Sequence, residues 1–126
     1  ARKGTSYTPV IRKADGAFLG FNGLCTIDDG FPNEGLPEIG WRMNRAAWGY
    51  GYATEAARAW LVWGWANLDA DRIASITSVN NRRSQAVMER LGMRRDPTSD
   101  FDHRNVPDGS PLKAHVTYVI DRPAGA

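Results

Sequence analysis

Two short stretches of this chain carry residue types whose spacing suits chemistry. The first is Trp48-Gly49-Tyr50-Gly51-Tyr52-Ala53-Thr54-Glu55-Ala56. Two glycines one residue apart let the chain turn sharply and bring its backbone close to a ligand, because no Cβ intervenes. The helical pattern that follows would aim its unpaired N–H groups and positive dipole end into that turn. Together they make a seat for a phosphate or pyrophosphate. The second stretch is Asn80-Asn81-Arg82-Arg83-Ser84, heading another helical pattern. Asn81 and Ser84, three apart, would both sit around the exposed first turn, which is also an ordinary cap spacing. Arg82 and Arg83 place cations where the helix dipole opposes them, by about 0.3–1 kcal/mol each. A bound anion would offset that cost. The plainer alternative is a solvated basic face, which Arg90, Arg94 and Arg95 continue.

Neither stretch fits a common nucleotide motif. A dinucleotide fingerprint would want a third glycine near Thr54 and an acid where Ser78 and Val79 stand at the end of the next strand. A P-loop would want Gly-Lys-Ser/Thr, which is absent. A nucleotide-dependent oxidoreductase is therefore disfavoured.

The elements that must position these residues are legible in outline. Val10 to Lys13 and Ala17 to Thr26 read as two strands joined at Ala14-Asp15-Gly16, a hairpin signal. Glycines in the second strand suggest a bulge or bend. Asp28 to Pro37 is a loop rich in proline, glycine and aspartate. Glu38 to Met43 reads as a third strand leading into the glycine turn. From about Gly51 to Leu68 the residues Ala53, Ala56, Ala57, Trp60, Leu61, Gly64 and Leu68 recur at helical spacing. Val62, Trp63 and Trp65 lie outside that stripe, which predicts a helix covered by a sheet on one side and by another element or subunit on the other. Arg72 to Val79 reads as a strand and Asn81 to Leu91 as a second helix, stopped by Gly92. Met93 to Arg95 would extend, Asp96 to Leu112 is a polar loop, and His115 to Ile120 is a last strand. Strand, helix, strand, helix, strand from Glu38 onward predicts a mixed α/β sheet.

Composition narrows the setting. A chain of 126 residues is large enough for one core without disulfide staples, and Cys25 is its single cysteine. That usage suits a reducing cytoplasm, with Cys25 a small buried apolar group. A net charge of +2 is too small to argue for nucleic acid or a membrane surface. No apolar run approaches the length needed to span a bilayer. His103, His115 and one distant cysteine have no metal-ligand spacing, so no metal is expected.

Taken in order, Glu38-Ile39-Gly40-Trp41-Arg42-Met43, then Trp48 to Ala56, then Asn81-x-x-Ser84-x-x-Val87-Met88-Glu89-Arg90-Leu91-Gly92-Met93 resemble the GNAT superfamily of acetyl-CoA-dependent N-acetyltransferases. Within it the chain is similar to the branch holding the ribosomal-protein N-terminal-alanine acetyltransferases. Asp100-Phe101-Asp102-His103 and Pro107-Asp108-Gly109-x-Pro111-Leu112 resemble a bacterial subset. The match covers nearly all of residues 9–121.

The resemblance implies a mostly antiparallel, splayed sheet with helices on its faces. It implies that Trp41, Arg42 and Met43 offer free backbone groups to the pantetheine arm of acetyl-CoA. Trp48, Gly49, Tyr50, Gly51, Tyr52 and Ala53 would supply N–H groups to the pyrophosphate, and Asn81 would bond the pantetheine near the thioester. Ser84 would protonate the leaving thiolate, and Glu38 would be the base for an incoming primary amine, directly or through water. Asp102 and His103 are alternative bases, and His115 reads as structural. Such chemistry needs a neutral amine, N–H donors for the tetrahedral oxyanion and close alignment of the two substrates.

Two departures stand out. The family's Gln/Arg three residues before the first turn glycine is Ala46 here, with Arg45 one place early. The family's first strand and first two helices would precede residue 1, so the expectation is a single domain with an incomplete acceptor side. A non-catalytic CoA-binding module is the alternative reading, and a homodimer through the apolar first helix is plausible.

Overall fold

The computed structural model describes residues 7–125. Its frame is a mixed sheet. β1 (Tyr7–Ile11), β2 (Phe18–Thr26) and β3 (Pro37–Met43) form an antiparallel meander. Helix α1 (Tyr52–Asn67) then crosses to β4 (Arg72–Ser78), which lies parallel to β3. Helix α2 (Arg82–Arg90) leads to the two-residue strands β5 (Arg94–Arg95) and β6 (Phe101–Asp102) and to the long last strand β7 (Ala114–Asp121). The strand order is β1-β2-β3-β4-β7-β5, with β6 also paired to β7. The mixed, mostly antiparallel sheet expected from the sequence is the one observed.

Alternation along the strands sends two sets of side chains to opposite faces. Leu24, Ile39, Ile73, Val116 and Tyr118 pack with Ala57 and Leu61 of α1 and with Val87 and Met88 of α2, so both helices share one face. Ala74 and Val119 face the other way, with Ile27, Phe31, Leu36 and Ile76. The C-terminal end of α1 has no basic residue of its own. Arg122, just past β7, fills that role by donating to the carbonyls of Trp65, Leu68 and Ala70 at 2.7–2.9 Å, which satisfies acceptors the helix leaves open.

Several expectations shift in detail. β1 starts at Tyr7, not Val10, and runs through Pro9. As an edge strand it tolerates a residue without an N–H. The hairpin closes at Ala14-Asp15-Gly16 as read, through bonds between Arg12 and Ala17 and from Gly16 to Arg12. Register skips from Val10↔Gly20 to Ile11↔Phe18, so Leu19 is the extra residue of a bulge. The segment read as a wholly polar loop after Arg95 contains β6 and a 3₁₀ turn at Pro97–Ser99. Expected cover on the outer side of α1 is missing among the described residues: Val62 is 69% exposed and Trp63 is also exposed. Trp65 does pack inward, beneath the Arg122 guanidinium.

Surface ion pairs close the sheet's far edge and set an acid limit. Asp121 bonds Arg72 at 2.9 Å and Arg94 at 3.1 Å, which holds its carboxyl below the ordinary range, chiefly through the Arg72 bond. Asp15 is drawn down to about 2 by Arg12. A carboxylate depressed in the folded state contributes stability above its unfolded pKa and loses it as pH falls through the folded value. The urea midpoint should therefore be flat from pH 7 to 5 and decline between about pH 4 and 2. Asp121→Asn should remove part of that decline, and an unchanged profile would contradict this linkage.

Candidate active site

The cleft exists because two neighbouring strands part. β3 keeps its full ladder to β2, from Met43↔Gly20 to Pro37↔Thr26. β4 keeps its full ladder to β7, from Arg72↔Asp121 to Ser78↔His115. Between β3 and β4, however, there is a single paired position, Glu38↔Ala74. Just past it the Ser75 hydroxyl donates to the Ile39 carbonyl at 2.8 Å. Beyond that point backbone groups of β3 face a gap instead of a ladder, and polar backbone of this kind needs a partner. The gap is a cleft of about 1190 Å³, lined on one wall by Gly40 to Met43 and on the other by Ser75 to Thr77.

At the outer end of the cleft the chain turns through a 3₁₀ segment (Arg45–Ala47) into the glycine turn. Gly49 and Gly51 have φ of 87° and 80°, the left-handed region that only glycine enters freely. Gly51 caps α1 without any side-chain bond to the first-turn N–H groups. Those donors are open to a ligand, next to Tyr52 and Ala53 on the cleft wall. The opposite rim is the start of α2, where the Asn81 side-chain oxygen accepts the Ser84 N–H at 3.1 Å. The cap reading of Asn81 is thus realised, and its side chain still lines the cleft.

Ser84 and Trp41 meet across the cleft: the indole N–H donates to the Ser84 hydroxyl oxygen at 3.3 Å. With its oxygen taken as acceptor, that hydroxyl keeps its own proton to give away. Glu38 lines the cleft at the fork of the strands and is only 4% exposed. Asp102 and His103, the alternative bases, do not line it. The His103 ring instead lies 4.9 Å from both Phe31 and His115, centroid to centroid. The His115 ring is engaged there and contacts the Lys113 carbonyl, in keeping with a structural part.

Of the residues singled out from the sequence, Glu38, Trp41, Arg42, Met43, Trp48, Gly49, Gly51, Tyr52, Ala53, Asn81 and Ser84 all line this one cleft. Tyr50 does not; its side chain is 69% exposed and stacks on Tyr52. Sequence reasoning missed the β4 wall of Ser75, Ile76 and Thr77, the flanking Tyr7 and Arg58, and the Trp41–Ser84 bond. A small hydroxyl inside the apolar run Ile73-Ala74-Ser75-Ile76 was the available signal for that wall. Among the described residues no three His, Cys, Asp or Glu side chains converge to hold a metal, and no helix is long and apolar enough to cross a membrane.

A family model described as the acetyltransferase (GNAT) domain matches residues 1–94. An uncharacterized N-acetyltransferase of Bacillus subtilis, YnaD, is 37% identical over 83 residues, covering 66% of this chain and 47% of its own. The crystal structure of a GNAT-family acetyltransferase from Bacillus anthracis superposes with a TM-score of 0.73 at 30% identity, over 90% of this chain and 64% of that one. A ribosomal-protein-S5-alanine acetyltransferase from Vibrio fischeri shares the fold, with a TM-score of 0.74 at 17% identity over 94% of this chain and 62% of its own. The chain spans about half the length of the curated relatives it matches.

Proposed function

This chain belongs to the GNAT acetyltransferase family, and on that premise we propose that it moves an acetyl group from acetyl-CoA to a primary amine within a ternary complex. The observation that carries the reading is the lone β3–β4 pairing at Glu38↔Ala74. It frees β3 backbone for a narrow, extended ligand and points that ligand at the helix starts. A thioester carrier fits this cleft: Trp41 to Met43 offer backbone groups to the pantetheine arm, and Asn81 offers its amide. The turn from Trp48 through Tyr50 to Ala53 offers N–H groups to the pyrophosphate.

Acetyl-CoA supplies the activated acyl group; the chain supplies alignment and proton traffic. The amine nitrogen bonds to the carbonyl carbon, and the C–S bond breaks as the tetrahedral species collapses. The amine's surplus proton passes to Glu38, directly or through a water. The Ser84 hydroxyl donates its proton to the departing thiolate sulfur and is reprotonated from water as it does so, with the Trp41 N–H holding its oxygen in place. The position of Asp102 and His103 outside the cleft supports Glu38 over either as base. The acceptor is a protein N-terminus or a small-molecule amine. Residues 1–126 belong to one acyltransferase domain whose acceptor side is incomplete within them, in a cytoplasmic setting, with no nucleic-acid or membrane partner and with the exposed Val62 and Trp63 side of α1 available for a homodimer.

The test is release of free thiol from acetyl-CoA across a broad amine panel. Turnover with at least one amine is expected, and Ser84→Ala should lower kcat by about 10²-fold or more with little change in CoA affinity. CoA binding without turnover on any amine would leave a carrier-binding module in place of an enzyme. An unaltered kcat in Ser84→Ala would remove the serine from its role.

A further inference from the structure

Gly40 on β3 has no positive φ, so its backbone makes no demand for glycine. The demand comes from a neighbour: an added Cβ there would land on the Tyr7 hydroxyl. Register explains how Tyr7 gets there. Tyr7 of β1 lies opposite Gly23 of β2, and Gly23 lies opposite Gly40 of β3. Neighbouring strands are about 4.8 Å apart, and the phenol reaches over β2 to β3 along a strip that both glycines leave bare. Ile39 and Trp41 pack on the helix side of the sheet. By alternation Glu38 and Gly40 face the other side, where Ala74 and Ile76 lie. Tyr7, Gly40 and Glu38 all line the cleft. Ser84 belongs to α2 and bonds Trp41, so the serine and the glutamate address the gap from opposite faces of the sheet. Tyr7 stands on the side of the glutamate.

We propose that Tyr7 is a further catalytic residue, a second contact for the acceptor: its hydroxyl oxygen accepts an N–H of the incoming amine while Glu38 takes that amine's surplus proton. This role rests on the acyl-transfer function proposed above. Residues two apart on one face of a strand are about 6.7 Å apart. A carboxylate on one and a phenol oxygen over the other leave room for one nitrogen about 3 Å from each. A hydroxyl has two acceptor lone pairs beside its own O–H, so it can take this bond whatever else it holds. The neutral amine keeps two N–H bonds. One stays on the Tyr7 oxygen, which restrains the nitrogen while its lone pair attacks the thioester carbon through the gap. Tyr7 keeps its proton throughout; only Glu38 and Ser84 exchange one. Packing over two bare glycines needs an aromatic ring alone, so phenylalanine separates the chemical role from the structural one.

Steady-state kinetics of the full chain with acetyl-CoA and the best amine of the panel, with CoA calorimetry beside them, test this. Tyr7→Phe should lower kcat/KM for the amine by about tenfold or more, the worth of a hydrogen bond to a charged group. The KM for acetyl-CoA and the affinity for CoA should stay within about twofold. Gly40→Ala pushes the phenol aside without removing it and should cause a loss of similar size. In the Gly40→Ala background, Tyr7→Phe should then cost less than about twofold, because the hydroxyl is already out of place. A loss in Tyr7→Phe smaller than tenfold, one matched by weaker CoA binding, or full additivity of the two changes overturns the role of Tyr7 while acetyl transfer stands. No turnover by the parent chain with any amine removes the acyl-transfer reading and this role with it.

Discussion

Replacing Glu38 by glutamine should lower kcat for acetyl transfer by about 10²–10⁴-fold, the range a positioned proton acceptor contributes, while CoA affinity stays within about twofold. The carboxylate sits at the fork of β3 and β4, the one place where the two strands still pair, and it is almost wholly buried. Glutamine has nearly the same shape, so the fork should survive while proton acceptance is lost. A thermal melt close to that of the parent checks that premise. A primary amine with a pKa near that of lysine, about 10.4, is almost entirely protonated at neutral pH. If Glu38 acts as the base, the deficit should narrow when the assay pH is raised until the amine is neutral in bulk. A loss that appears in KM for the amine, with kcat intact, would make Glu38 a binding group. A kcat within about threefold of the parent would end its catalytic assignment.

Much of the site was legible because its parts are local. The glycine turn, the helix that follows it and the Asn81–Ser84 cap each lie within a few residues, where backbone sterics and dipoles dictate the outcome. Elements failed where their reasons are non-local. β6 is two residues long and has no period to read; it exists because Phe101 and Asp102 lie beside His115 and Ala114 of β7. The Trp41–Ser84 bond joins positions 43 apart in the chain. Nothing at either position announces the other. Splaying of β3 from β4 entered only through resemblance, since no residue pattern encodes the lack of a ladder. Nothing in the residues around Arg122 marks it out, and only the folded arrangement turns it into the C-terminal cap of α1.

The glycines of β2 show how far a local signal can be trusted, because one of them makes a strong demand. Gly20 lies beside the bulge at Leu19 and has φ of 145°, a region costly for any residue with a side chain. A Cβ there would also collide with the Arg42 carbonyl and the Met43 Cα of the adjoining strand. Those are backbone atoms and cannot rotate away, so β2 and β3 would have to separate next to the cleft wall. Backbone strain of about 1–3 kcal/mol and overpacking of about 1–3 kcal/mol combine to make Gly20→Ala one of the most damaging single-methyl additions available here. Against a total of about 5–15 kcal/mol for a native domain, that should lower Tm by roughly 10–20 °C. The proper reference is Gly16→Ala. Gly16 also has positive φ, 73°, but an added Cβ meets nothing within 4 Å. It should lose only the left-handed penalty of about 1–2 kcal/mol. Urea midpoints of the two variants separate collision from strain, and equal losses would show that β2 and β3 part without cost at this point. Because Met43 also holds the Trp48 indole, any Gly20→Ala protein that still folds should bind CoA more weakly than Gly16→Ala does.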